Sequence, residues 1–168
     1  MTQDSLIQIF RFLFFLLLQI LIFSKINLFG YVNPYPYVLF VLLFPIGSSK
    51  NFLLIASFLL GLTLDIFLNT GGVHAGSSVL LAWMRENYIK FSFGLNYQYQ
   101  SVKFFEKINS ELISYLLLGI ATHHLCMFLL EIFSLPLILS ILTRTLWSTL
   151  FTFVICIGFI QLMKPTKR

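Results

Sequence analysis

Residues 52–84 read FLLIASFLLGLTLDIFLNTGGVHAGSSVLLAWM. Two apolar runs, 52–68 and 73–84, flank the turn Asn69-Thr70-Gly71-Gly72. Asparagine, threonine and paired glycines punctuate a chain at a tight reversal, so the stretch predicts a helical hairpin. Its polar residues are periodic. Ser57, Gly61, Asp65 and Asn69 recur four apart on the first helix, and the second opens with Gly72, His74 and Gly76. Small residues let helix backbones approach in an apolar medium, and hydroxyls bond across the gap.

The composition says what that medium is. The 168 residues are 58% hydrophobic and 10% charged, with a net charge of +5. Soluble domains run near 45–50% apolar and about 25% charged, and a fold of this size cannot hide the excess. The chain therefore reads as one integral membrane domain over residues 1–168, all-α and polytopic. Disorder and a disulfide-stapled module are excluded. No run of Lys or Arg exceeds two residues, which speaks against nucleic acid as a partner and for membrane lipids.

Six transmembrane helices in one bundle are expected, roughly at 6–23, 35–46, 51–68, 72–84, 111–133 and 137–163, with an interfacial segment at 85–110. The first run has no basic leader ahead of it and no small-residue cleavage site, so it reads as a retained helix with Arg11 snorkelling to its end. The second run is short. It either spans with help from its Tyr- and Pro-rich flank or is re-entrant. Within 85–110, Phe91, Phe93, Leu95, Tyr97 and Tyr99 alternate with polar residues. That pattern fits an aromatic-rich interfacial loop or an extended edge, followed by a short interfacial helix near 102–108. With six crossings, nine of the 11 Lys and Arg fall on the side of the termini, leaving Lys25 and Arg144 on the other. The positive-inside rule then places both termini in the cytoplasm.

Ionisable groups inside lipid need partners or water. Asp65, His74, Glu131 and Arg144 are all expected in the outer half of the bundle, with Arg144 paired to Asp65 or Glu131. Ser148 continues the Ser140, Arg144, Thr152 stripe on the last helix. His123 and His124 are adjacent and point about 100° apart, so they do not chelate one ion. No nucleotide-binding, metal-binding or nucleophile motif is present. The expectation is no enzyme, no cofactor and no metal.

The segments Gly61-Leu-Thr-Leu-Asp65 and Asn69-Thr-Gly-Gly-Val-His74-Ala-Gly76, with Asn33-Pro34-Tyr35 and Leu43-Phe-Pro45 upstream, resemble the MreD family of rod shape-determining proteins. The resemblance implies a non-enzymatic scaffold of the cell-elongation (elongasome) machinery for peptidoglycan synthesis and cell shape. Its direct partner would be MreC. Linked indirectly would be the RodA glycosyltransferase, its transpeptidase and the actin-like MreB filament. That family is itself similar to the S components of energy-coupling-factor vitamin transporters, six-helix bundles with an outward pocket, which supplies the alternative function. Those S components dock through Ala-x-x-x-Ala on their first helix, whereas 6–23 here holds no Ala or Gly. The scaffold is therefore the favoured reading.

Overall fold

The Asn69–Gly72 reversal brings two long helices together. In the computed structural model, which describes residues 3–28, 30, 32–94 and 108–163, α3 (Lys50–Leu68) and α4 (Val73–Phe93) pack as the expected hairpin. Asn69 ends α3 in the left-handed region at φ 55°, and Gly71 and Gly72 follow at φ 64° and 99°. Glycine takes such angles without a Cβ penalty, which is why the chain reverses here. Ser49 caps the start of α3 by accepting the Phe52 amide, and Asn109 caps α5 through the Leu112 amide.

The remaining helices are α1 (Gln3–Leu21), α2 (Val38–Leu42), α5 (Ser110–Ile132) and α6 (Ile138–Leu162). Short 3-10 turns follow α1 and precede α6. The described residues contain no strand, only one isolated bridge between Leu28 and Val32. Four segments are long and apolar enough to cross a membrane: 6–25, 50–68, 110–132 and 138–162. The all-helical membrane character read from composition is thus present.

Two boundaries differ from the sequence reading. The second apolar run is no long helix. Only five residues, Val38–Leu42, are α-helical, and the whole stretch from Pro34 to Phe44 is buried. Pro34 and Pro36 account for this, since each lacks an amide donor and Pro biases the residue before it away from helix. The segment is threaded through protein instead of lipid. Its start lies against α1 and α6, where Gln19 Nε2 donates to the Pro34 carbonyl and the Tyr35 amide donates to Thr152. Its end lies beside Phe52, in the first turn of α3.

The fourth helix does not stop at residue 84. It continues through Arg85, Glu86 and Lys90 to Phe93, so the first third of the expected interfacial segment is helix, and Phe91 and Phe93 belong to it. The alternation beyond residue 94 and the helix expected near 102–108 lie outside the described residues, Ile108 excepted. At 21 residues α4 measures about 31 Å, the thickness of a hydrocarbon core. Its polar lower half removes the hydropathy signal.

Candidate functional site

The polar side chains of the bundle gather around the α3–α4 turn and along the inside of α5. Asp65 sits in the last turn of α3, buried, facing the start of α4. Its Oδ1 accepts the His74 amide at 3.0 Å and the Thr70 hydroxyl at 2.5 Å, and its Oδ2 accepts the Ala75 amide at 2.8 Å. The N-cap residue of α4 is Gly72, which has no side chain to cap with. The neighbouring helix therefore supplies the cap, with a carboxylate at the positive end of the α4 dipole.

This cap needs the helices close. A Cβ built on Gly61 would lie 2.5 Å from the Ala75 Cα and 2.5 Å from the His74 carbonyl oxygen. Only glycine fits there. Gly76 plays no part in this approach. It is exposed and faces the Leu130 side chain of α5. The small-residue hairpin is thus present, but its closest point is Gly61 against Ala75.

Behind the cap lies a histidine network. The Tyr37 hydroxyl is 2.8 Å from His74 Nδ1 and 2.8 Å from His123 Nε2. It has one proton, so it donates to one ring and accepts from the other. His123 Nε2 is also 3.1 Å from Ser77 Oγ, which bonds the Val73 and His74 carbonyls. His124 points a different way, toward α6, with Thr149 and Thr152 hydroxyls at 3.3 and 3.4 Å. Both adjacent histidines are fully buried, and no metal-binding group of three exists among the described residues.

Ser77 and His123 have the spacing of a nucleophile and base. Both are fully buried, and neither lines the cavity beside Glu131 or the one beside Arg85. Their hydrogen bonds tie α2, α4 and α5 together.

The expected ion pair of Arg144 with Asp65 or Glu131 is absent. No ion pair joins these groups among the described residues. Asp65 already accepts three donors from the α3–α4 turn. Arg144 lies five residues from Thr149, about 7.5 Å further along α6 toward its start, and stays half-buried. Glu131 is exposed at the end of α5, on the rim of a cavity of about 200 Å³ that His74, Tyr35, Thr70, Asn33 and Gln19 help line. His74, Thr70 and Glu131 thus share one site, and Arg144 does not line it. Ser57 and Ser148 are buried with no hydrogen-bond partner among the described residues.

Sequence reading missed Arg85, which it placed at the start of the interfacial segment 85–110. Arg85 is buried on α4, and its Nε donates to the Leu42 carbonyl at 3.3 Å and to the Tyr115 hydroxyl at 3.1 Å. Its Nη2 donates to the Phe44 carbonyl. Tyr115 also donates to Leu42, at 2.8 Å. These are the carbonyls that a five-residue helix leaves open at its end. Tyr37 was missed too. The only signal for it was a hydroxyl-bearing aromatic directly after a proline in an apolar run.

Compared with known protein families, curated proteins and solved structures, the chain matches none.

Proposed function

We propose that this chain is a non-catalytic membrane subunit of a bacterial cell-elongation complex, of the kind its MreD-like segments imply. Its outer helices would hold a single-span partner of the MreC type. The observation that carries the reading is the closure of the polar core. Asp65 has its acceptors filled by an internal helix cap, and His74, His123 and His124 bond to Tyr37, Ser77, Thr149 and Thr152. Groups that hold a fold in this way are not poised for bond-making chemistry.

What remains for other molecules is the surface. Phe10 and Leu21 on α1, Ile66 on α3, and Leu139 and Val154 on α6 are each at least two-thirds exposed. Such a belt faces acyl chains or a partner's helix. In this reading α4 and the 32–49 segment join the four apolar helices to give six crossings, with both termini in the cytoplasm.

The test is photo-crosslinking in cells from Phe10, Leu13, Ile66 and Leu146. The expected product is a discrete adduct with a single-span protein that has a large periplasmic part. Lipid adducts alone at all four positions would count against the scaffold. A vitamin retained after mild detergent extraction would replace it with the transporter reading.

A further inference from the structure

At the end of the bundle opposite the histidine network, a second cavity of about 180 Å³ is lined by Lys50, Arg85, Glu86 and Ser48, with Ile46, Leu53, Ala82 and Ile89 as its apolar wall. We propose that this cavity binds the phosphate group of an anionic phospholipid, held between Arg85 and Lys50 at the start of α3.

Arg85 is the first argument. It is 6% exposed, and its hydrogen bonds run to two carbonyls and a phenol. Those partners satisfy its Nε and Nη2. They do not neutralise its charge, and no carboxylate pairs with it among the described residues. A buried guanidinium without a counter-charge is costly. Its Nη1 has no partner among the described residues, and the side chain lines the cavity. The planar fork suits bidentate contact to phosphate oxygens.

The surroundings agree in sign. Lys50, exposed at the mouth, sits with its amine 5.9 Å from the centre of the Trp83 ring. Aromatic and cationic side chains side by side are characteristic of headgroup depth. Lys50 also opens α3, a helix of 19 residues. The amides of Lys50 and Asn51 have no helical carbonyl a turn behind them, and the helix dipole there favours an anion. Ser49 caps only the Phe52 amide. Glu86 is the one acidic wall residue among the described residues, and Lys90 engages it at 2.7 Å. A volume of about 180 Å³ leaves room for a phosphate group with the acyl chains outside.

The experiment is native mass spectrometry of the full chain, extracted in detergent and exposed to phosphatidylglycerol, to phosphatidylethanolamine, or to inorganic phosphate. Arg85 also supports the fold, so the informative variants are at exposed Lys50. The expected result is a phosphatidylglycerol adduct that falls about fivefold in Lys50→Ala and further in Lys50→Glu. Lys25→Ala, at the other end of α1, should leave it unchanged. Phosphatidylethanolamine, whose own ammonium competes with Lys50 for its phosphate, should bind more weakly than phosphatidylglycerol and lose less in the Lys50 variants. Equal phosphatidylglycerol adducts across the series would overturn the site. Retention of inorganic phosphate with no phosphatidylglycerol adduct would overturn the lipid as its source.

Discussion

Asp65 illustrates how one residue type serves different ends in lipid and in water. A carboxylate in an apolar helix suggests a counter-ion, and Arg144 is the obvious candidate by sequence. The structure instead gives Asp65 the two amides at the start of α4 and the Thr70 hydroxyl. Removing the carboxylate in Asp65→Ala leaves two buried amides without acceptors, at about 1–3 kcal/mol each. Asp65→Asn keeps one oxygen and loses the charge on the dipole. The thermal midpoint of the detergent-solubilised protein should fall steeply for Asp65→Ala and by roughly half as much for Asp65→Asn. Effects of Asp65→Ala and Arg144→Ala should add, because no ion pair or hydrogen bond joins the two side chains. A coupling energy above about 0.5 kcal/mol in that cycle would restore the ion pair. The glycines give a sharper contrast. Gly61→Ala puts a methyl against the α4 backbone, which cannot rotate away, and should lower membrane accumulation severely. Gly76→Ala meets only the end of the Leu130 side chain at 3.1 Å. It also gains about 1 kcal/mol of helix propensity. Accumulation of Gly76→Ala should therefore match or exceed the parent, and equal losses for both glycines would refute the close approach of α3 and α4.

At the scale of elements, what the sequence made legible was periodicity, and what it concealed was direction. The helix α3, the turn that follows it, α5 and α6 were readable within a residue or two, because long apolar runs bounded by turn residues admit few alternatives. The Ser57, Gly61, Asp65 stripe was readable for the same reason. Two elements were not. A five-residue helix enclosed by protein has the same composition as the ends of a spanning helix, and only its prolines hint that it does not face lipid. Hydropathy ends α4 at residue 84, where Arg85 and Glu86 break the apolar run, although the helix continues to Phe93. A guanidinium inside a bundle and one at its edge look identical in a sequence, and only the open carbonyls of α2 distinguish them. Arg85 and α2 therefore form one unit. Arg85→Leu fills the space with apolar atoms but strands the Phe44 carbonyl and leaves Leu42 to Tyr115 alone. It should lower the thermal midpoint well beyond Tyr115→Phe, in which Arg85 Nε still reaches Leu42. If the two variants melt together, α2 is held by packing and not by these bonds.

Over the whole molecule, the threaded segment decides how the chain sits in the membrane. Tyr35 is beside His124 and Thr152, while Leu42 is bonded to Tyr115 and Arg85. His124 and Tyr115 are nine residues apart on α5, about 13.5 Å along its axis. The segment thus travels through the interior in the direction of the helices, although it is too short and too irregular to cross lipid unaided. Irregular backbone at membrane depth is tolerated where protein surrounds it. Burying Arg85 removes one positive from the nine assigned to the side of the termini and leaves eight against two, so the charge asymmetry keeps its sign. Both consequences are tested by one measurement. Lys25 follows α1 and Lys50 opens α3, and both are exposed. If the 32–49 segment carries the chain from one membrane face to the other, Lys25→Cys should react with an impermeant maleimide from the periplasmic side of spheroplasts. Lys50→Cys should react only after the membrane is opened. The native thiols set a low background, since Cys156 is buried and Cys126 half-buried. Labelling of both engineered cysteines from one face would make the segment a re-entrant loop, put the amino terminus on the opposite side from the carboxyl terminus, and leave α1 as the one helix whose direction the charge count had misassigned.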